Sequence, residues 1–333
     1  MNDFEPIGVP DFRNINIQEE LAASELDRLV SPVELVDRLE ARRNSMLEGI
    51  ELPFAQLKDT DFRLHRGTLN LIGGYTGHFK STIASQIGLR ALRKGHNVGI
   101  ASLELFAEDV LEHYVEIGYT EQEPPMDYVK TFSEWAKGKL HIYDRMDSIE
   151  PEEAIQMVIA FAKHCDCELI VLDALMMIND VCGDSAVERS FTQTLAAVAK
   201  KFEIAIVLVH HVRKPSGFEG EEKIPGKYDF IGSSHLANIA ASLMIVWHDK
   251  VQNELRTQDE LRRKKSETFQ PNPDYNPAKA DMIFKVAKSR YGRYEGSIAL
   301  WRHDKCRGFT SDEGRALTQF NVLQMGGNLQ EVI

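Results

Sequence analysis

The sequence predicts an α/β fold in which a mainly parallel sheet carries helices on both faces. From about residue 50 onward, short Val/Ile/Leu-rich segments of strand length alternate with segments of helical periodicity. This alternation is typical of a parallel sheet that is buried on both sides. After Ala240 the pattern changes, and two strand-like segments flank a glycine-containing turn at residues 291–296. We therefore expect a C-terminal antiparallel hairpin.

Eight segments have the composition of strands. They are residues 69–73, 97–103, 140–143, 169–173, 204–210, 243–247, 282–287 and 297–301. Helical periodicity is clearest at residues 151–163 and 185–201. A charged helix-like stretch around residues 259–265 and a Pro/Asn-rich segment at 271–277 predict an exposed excursion before the hairpin.

Composition limits the classes of protein that this chain can represent. Its 333 residues suffice for one large or two ordinary domains. No apolar run is long enough for a membrane span, the N-terminus does not resemble a signal peptide, and the four cysteines do not form a disulfide framework. We expect a reduced, intracellular protein. A net charge of −12 argues against coating of duplex DNA, but not against nucleic acid held by a few basic loops.

The chain ahead of the α/β region divides into an arm and a helix. Residues 1–30 are mixed and acidic, which predicts an N-terminal arm. Residues 31–34 form a capping box with proline at the first helical position, so a linker or docking helix is expected over residues 31–49. Its apolar stripe would dock on the main body or on another subunit. The stripe comprises Leu35, Val36, Leu39 and Met46.

The most informative segment is residues 73–82, Gly-Gly-Tyr-Thr-Gly-His-Phe-Lys-Ser-Thr, which lies between a predicted strand and a predicted helix. This is the layout of a phosphate-binding P-loop. Backbone N–H groups would wrap the phosphates, Lys80 would neutralise the β/γ oxygens, and Ser81 would hold Mg²⁺. The candidate nucleotide-binding residues are Gly74, Thr76, Gly77, His78, Phe79, Lys80, Ser81 and Thr82.

Phe79 departs from the P-loop pattern, which places glycine immediately before the lysine. Glycine is favoured there because it accepts positive φ and allows the backbone to approach the phosphates. A phenylalanine either adopts a strained conformation or forces a locally different loop. The alternative interpretation is a glycine-rich turn with an incidental lysine.

Polar residues close several of the other predicted strands, where open α/β sheets place their ligands. Glu104 could polarise an attacking water, and Asp173 occupies the usual position for orienting Mg²⁺. His211 follows another strand, and Lys288 and Arg290 lie beside the predicted hairpin turn. Each also has a structural explanation, such as a hydrogen-bonded histidine pair or solvated turn residues.

In order and spacing, these features resemble the RecA-like motor domain of ring-shaped replicative helicases, the DnaB type and its short-tailed-phage relatives. The resemblance covers about residues 50–310 and implies a RecA-like P-loop NTPase core that uses ATP and Mg²⁺. It implies that Glu104 is the catalytic glutamate and that His211 senses the phosphate. It also implies that Lys288 and Arg290 reach into a neighbouring subunit's ATP site, with Arg290 as an arginine finger in trans.

The same resemblance implies two loops that grip single-stranded DNA, residues 177–189 and 213–232. The second contains four cations on an otherwise acidic chain, which would reconcile the net charge with a DNA partner. These candidate DNA-binding residues are Arg213, Lys214, Lys223 and Lys227. The alternative is a solvated, flexible glycine-containing loop.

Two further departures from the family affect this interpretation. Only about 50 residues precede the motor region, with no primase-like or helical N-terminal domain, so assembly would depend on the helix at 31–49 and the motor itself. In addition, residues 232–234 match the last DNA-facing motif only in part, because Ile231 stands where the phage type has arginine. Residues 311–333 are predicted to be a C-terminal tail.

The sequence therefore favours a DNA helicase of phage or mobile-element type that hydrolyses ATP and translocates on single-stranded DNA as a homo-oligomer, a hexamer by resemblance. Primase, polymerase or loader proteins are candidate partners, and the expected location is the cytoplasm, that of a bacterial host if the chain is phage-encoded. One alternative is a RecA-like recombinase or accessory ATPase that forms filaments. Another is a hydrolysis-impaired, nucleotide-dependent DNA-binding scaffold.

Overall fold

The computed structural model describes residues 12–22, 31–47, 49–214, 220–232, 234–265, 270, 272–276, 278–314 and 317. Within these residues, nine strands form one sheet. They are β1 Thr68–Gly74, β2 Val98–Ser102, β3 Leu140–Tyr143, β4 Leu169–Asp173, β5 Ala205–His211, β6 Ser242–His248, β7 Met282–Ser289, β8 Gly296–Arg302 and β9 Phe309–Thr310. Their order across the sheet is β3-β2-β4-β5-β1-β6-β7-β8-β9.

The first six strands run parallel, and the last three are antiparallel. This confirms the predicted fold class, including the C-terminal hairpin between β7 and β8. The eight predicted strands all form, with ends within about two residues of the expected positions, and the segments at 140–143 and 169–173 coincide with β3 and β4. The short β9 adds an edge strand that the sequence pattern did not reveal.

Helices cover both faces of the sheet. They are α1 Ile17–Ala22, α2 Val36–Leu47, α3 Ala55–Lys58, α4 Lys80–Arg93, α5 Ala107–Tyr119, α6 Met126–Ala136, α7 Pro151–His164, α8 Ser185–Phe202, α9 Ser234–Ile239 and α10 Lys250–Lys265. One apolar core contains side chains of α4, α5 and α6, and the other contains side chains of α7, α8 and α9. Alternate residues of β4 serve the two cores, Leu169 and Val171 facing one and Ile170 and Leu172 the other.

The strand register places the candidate functional segments at the two opposite ends of the parallel strands. The P-loop follows the carboxyl end of β1, and β2, β4 and β5 end at the same edge. Arg290 instead hydrogen-bonds through its N–H to the carbonyl of Ala241, whose own N–H bonds to Leu69 at the beginning of β1. Since a strand rises about 3.3 Å per residue, the five residues from Leu69 to Gly74 separate these levels by about 17 Å.

Part of the predicted arm packs on the α/β region. Phe12 and Leu21 contact the core formed by α7 and α8, and the Gln156 amide donates hydrogen bonds of 3.0 Å to the carbonyls of Arg13 and Ile15. The remainder of the predicted arm, residues 1–11 and 23–30, lies outside the described residues. So does the predicted C-terminal tail from residue 318 onward, together with residues 315 and 316.

The predicted capping box forms. The Ser31 N–H donates to the Glu34 carboxylate at 3.1 Å, and the Glu34 N–H donates to the Ser31 hydroxyl at 3.4 Å. The α-helix itself starts only at Val36, after a turn in which N–H groups bond three residues back. The described apolar side chains of the stripe remain about half exposed in the single chain. Their exposed fractions are 40% for Leu35, 59% for Val36 and 49% for Leu39; the Met46 side chain lies outside the described residues.

The charged excursion forms α10, which starts at Lys250 and extends beyond the expected stretch. Of the following segment, Pro271 and Pro277 lie outside the described residues. Among the helices that the structure describes, none combines the length and apolar character that a membrane crossing requires.

Candidate nucleotide-binding and catalytic site

The P-loop connects β1 to α4 at the carboxyl edge of the sheet. Gly74 lies so close to the carbonyl oxygen of Val246 that a Cβ atom built on it would be 2.5 Å away, and no larger residue fits without displacing backbone. Gly77 has φ of +76°, a conformation that side chains other than glycine disfavour. Two of the predicted glycines are therefore required by the loop's geometry.

Phe79 adopts the left-handed conformation, with φ 60° and ψ 30°, and forms the N-cap of α4. Of the two alternatives set by the sequence, the strained conformation occurs. The ring packs edge-on against His248 and Phe309, with centroid distances of 4.9 and 5.2 Å, and the Arg302 guanidinium lies 5.3 Å from its centroid. Left-handed backbone costs a non-glycine residue about 1–2 kcal/mol, which these contacts help to offset.

We expect Phe79→Gly to be less destabilising than Phe79→Ala, the reverse of the usual order in helices. Both variants lose the contacts of the packed ring, which for this half-buried side chain lowers the free energy of unfolding by about 1–3 kcal/mol. Only glycine also removes the left-handed strain. The free energies of unfolding of the two variants should therefore differ by about 1 kcal/mol. Thermal unfolding of both variants measures the difference. If alanine is equal or better, Phe79 does not carry backbone strain.

The side chains of His78 and Thr82 are buried. The His78 ring packs against Tyr75 and His248, and its Nδ1 accepts a hydrogen bond of 3.0 Å from the His248 N–H. Burial first, and then the Lys250 charge, lowers the pKa of His78 to about 4, so the ring is neutral. The side chain of His78 thus ties the P-loop to β6.

Lys80 is buried at the beginning of α4. Its ammonium donates to the Tyr75 carbonyl at 3.0 Å and lies 3.4 Å from Nδ1 of His211. Burial lowers the pKa of Lys80, while the charges of Asp173 and Glu104 oppose this shift. The arrangement places one ammonium group, two carboxylates and a histidine around the mouth of the P-loop.

Asp173 ends β4 and is almost fully buried. Burial raises the pKa of Asp173 to about 6, although a hydrogen bond with Ser81 acts in the opposite direction. A carboxylate beside a hydroxyl is the hard-oxygen donor set that Mg²⁺ prefers. Ser81 and Asp173 therefore fit the metal that the sequence predicts. Glu104 lies exposed just beyond β2, close enough for its charge to act on both Asp173 and Lys80.

The two adjacent histidines at the end of β5 have different roles. His210 is fully buried, and its Nε2–H donates to the Ile231 carbonyl at 2.8 Å, which is a structural contact. His211 faces the P-loop, 3.3 Å from the Thr76 hydroxyl as well as near Lys80. Burial, and then the Lys80 charge, lowers the pKa of His211 to about 4. Because ammonium only donates, Nδ1 of neutral His211 is the acceptor.

The four predicted DNA-binding cations lie on the segment that follows β5 and are exposed. Arg213 donates through its guanidinium to the Gly232 carbonyl at 2.6 Å, and Lys214 pairs with Glu221 at 3.0 Å. Within the described part of the chain, neither Lys223 nor Lys227 forms an ion pair. Residues 215–219 and 233, which belong to the predicted loop and motif, lie outside the described residues.

Lys288 and Arg290 are not near their own chain's P-loop. The Lys288 ammonium donates to the carbonyls of Ala237, Asn238 and Ala240 at 2.8, 3.0 and 2.6 Å, at the C-terminal end of α9. The Arg290 guanidinium donates to the Asn238 carbonyl at 2.6 Å. All three donors of Lys288 are therefore used within its own chain, whereas Arg290 keeps donors for another acceptor.

Sequence reasoning did not find two carboxylates that position these segments. Glu221 receives ion pairs from Lys214 and Lys250, and its backbone carbonyl accepts the Trp247 indole N–H at 2.8 Å. Asp61 accepts hydrogen bonds from the N–H groups of Arg293 and Tyr294 at 2.6 and 3.0 Å, which anchors the turn next to Arg290. Contacts that join such distant parts of the chain leave no local signal.

The fold and the P-loop constellation define the class: a RecA-like P-loop ATPase domain. A family profile described as "AAA domain" matches residues 37–217, more than half of the chain, and the chain belongs to that family. It is 22% identical over 196 residues to the replicative DNA helicase DnaB of Helicobacter pylori, an alignment that spans 54% of this chain and 40% of that protein.

Solved structures agree on the fold. One that is described as an ATPase domain superposes with a TM-score of 0.61 at 14% identity, over 84% of this chain and 96% of that one. The structure of a DnaB-like replicative helicase, described together with its interactions with primase, gives the same TM-score and identity over 88% of this chain and 70% of that one. The resemblance to DnaB-type ATPase domains is thus confirmed.

Proposed function

We propose that this chain is the motor of an ATP-dependent DNA helicase of phage or mobile-element type, which translocates on single-stranded DNA as a ring. One observation carries the proposal. His211 contacts both Lys80 and Thr76 of the P-loop, while its carbonyl accepts the Ile231 N–H from the segment that carries the candidate DNA-binding cations. A change at the phosphates is thereby linked to a change in that segment.

Hydrolysis would use the groups at the carboxyl edge of the sheet. Lys80 and the P-loop N–H groups would bind the phosphates of ATP, and Ser81 with Asp173 would hold Mg²⁺, which would neutralise phosphate charge. Glu104 orients the attacking water and accepts its proton. Because the Lys80 ammonium contacts the Tyr75 carbonyl and His211, a γ-phosphate would compete with His211 for this group.

Completion of the site requires a second copy of the chain. Arg290 lies at the opposite end of the parallel strands from its own P-loop, about 17 Å away along the strands, which supports a role at a neighbour's ATP. Such a head-to-tail contact closes into a ring or continues as a filament according to its rotation. We propose a hexameric ring, with the exposed stripe of α2 docked on the adjacent subunit and primase, polymerase or loader proteins as further partners. Electron microscopy with nucleotide distinguishes ring from filament.

The test is phosphate release from Mg²⁺-ATP with and without single-stranded DNA, at a protein concentration that permits assembly. We expect single strands to stimulate hydrolysis several-fold, because they bind the segment linked to His211. A duplex of the same length serves as the control and should stimulate less. Hydrolysis that does not respond to single strands would contradict a translocating motor. No hydrolysis under either condition would favour a scaffold that binds nucleotide without hydrolysing it.

A further inference from the structure

The segment between β5 and α9 contains a turn whose tip exposes an aromatic side chain beside a cation. The Asp229 N–H donates to the Gly226 carbonyl at 3.1 Å, which closes the turn, and the Gly226 N–H donates back to the Asp229 carboxylate at 2.7 Å. The two central residues, Lys227 and Tyr228, are therefore presented at the tip of a clamped turn. Tyr228 is 73% exposed, and the Lys227 ammonium lies 5.0 Å from the centroid of its ring.

This tip is connected by backbone hydrogen bonds to the nucleotide site. The Arg213 N–H donates to the Asp229 carbonyl at 2.6 Å, and Val212 forms an antiparallel bridge with Phe230. His211, which contacts Lys80 and Thr76, directly precedes this bridge. On the other side of the turn, the Tyr75 hydroxyl donates to the Lys223 carbonyl at 3.1 Å. Both sides of the turn are thus attached to the P-loop region.

Two exposed lysines lie at the tip and just before it, although the chain as a whole carries a net charge of −12 and residues 213–232 contain as many acidic as basic side chains. Lys223 and Lys227 are exposed, and within the described residues neither is neutralised by an ion pair. Burial lowers the pKa of Lys288 to about 8, and the charges of Arg290 and Lys227 add to this shift, so Lys227 lies close enough for its charge to act on Lys288. On a nucleic acid strand, a phosphate is the anion that such an exposed lysine would contact.

We infer that Tyr228 stacks on an unpaired nucleobase while Lys227 contacts the adjacent phosphate. Proteins that bind single strands combine cations for the backbone with aromatic rings for the bases, and a ring of this kind tolerates any sequence. Tyr228 is thus a DNA-contacting residue in addition to the four cations, and Asp229 is the residue that positions it. This inference rests on the proposed function and specifies the ligand of the same segment.

The experiment compares two fluorescein-labelled strands, an oligothymidylate and an abasic strand of equal length, by fluorescence anisotropy with a non-hydrolysable ATP analogue. The full-length chain should bind the strand with bases about tenfold more tightly, since stacking contributes about one such factor per base. Tyr228→Ser should lose this preference and bind both strands alike, whereas Tyr228→Phe should keep it. Lys227→Ala should weaken the binding of both strands equally and reduce the salt dependence of the affinity.

The control is Met126→Ser, which removes a side chain that is 64% exposed at the beginning of α6 and should change nothing. Equal binding of both strands by the unmodified chain, unaffected by Tyr228→Ser, would overturn the stacking role and leave the proposed function intact. No binding of either strand would contradict the proposed function itself. If Tyr228→Ser prevented assembly, as measured by sedimentation, Tyr228 would be a subunit contact and the inference would be wrong.

Discussion

Lys80→Ala is expected to reduce ATP hydrolysis by at least about a hundredfold, the effect of removing one charge-stabilising group from a phosphoryl-transfer site. The buried ammonium of Lys80 lies among Tyr75, His211 and Asp173, where no other described cation takes its place. In that low-dielectric position its charge acts on phosphate far more strongly than a surface lysine would. Phosphate release at saturating Mg²⁺-ATP measures the loss.

Lys94→Ala is the matched control, because Lys94 caps the other end of the same helix and is partly exposed. Its ion pair with Glu51 spans 3.7 Å at the surface and contributes about 0–1 kcal/mol to folding, with no contact to the nucleotide site. This variant should keep its hydrolysis rate. If Lys80→Ala retained the rate of the unmodified chain while remaining folded, residues 73–82 would be an incidental glycine-rich turn.

The sheet could be predicted from the sequence because its signals are local. A strand such as β4 is a continuous apolar run, since both of its faces are buried, and its end is marked by Asp173. The same logic located Glu104 and His211, because parallel strands bring their carboxyl ends to one edge. Both residues lie where the chain leaves the sheet, a position that sequence order alone identifies.

The conformation of Phe79 could not be predicted in this way. Whether a phenylalanine accepts left-handed backbone depends on what its ring contacts, and here the contacts come from His248 and Phe309, far along the chain. The sequence therefore set two alternatives, and tertiary packing selected one. The same limit applies to Asp61, whose carboxylate is recognisable as an anchor only once the turn beside Arg290 is folded against it.

The contacts of Lys288 differ from those that the resemblance implies. The resemblance implies that Lys288 reaches a neighbouring subunit's ATP. In the structure, its ammonium instead donates to three carbonyls at the end of α9. A cation at that position also interacts favourably with the helix dipole. We infer that Lys288 fixes α9 in the separate chain. We propose Arg290 rather than Lys288 as the finger, because within the described residues the Arg290 guanidinium donates to the Asn238 carbonyl alone.

Arg290→Ala is expected to reduce hydrolysis in the assembled state by about a thousandfold, as loss of an arginine finger does. The decisive measurement is a mixture of Arg290→Ala and Lys80→Ala chains, each inactive alone. The first keeps an intact P-loop, and the second keeps an intact finger. If the finger acts in trans, about one quarter of the interfaces in an equal, randomly assembled mixture contain both groups, and hydrolysis returns in that proportion.

Arg293→Ala controls for loss of charge at the same turn, because only the backbone N–H of Arg293 bonds to Asp61. This variant should hydrolyse ATP normally. If Arg290 merely supported α9 through the Asn238 carbonyl, its loss would damage each chain separately, and mixing would restore nothing. An inactive mixture in which both variants still assemble would therefore contradict an arginine finger in trans. Recovery of hydrolysis would agree with the register, which holds Arg290 at the end of the strands opposite its own P-loop.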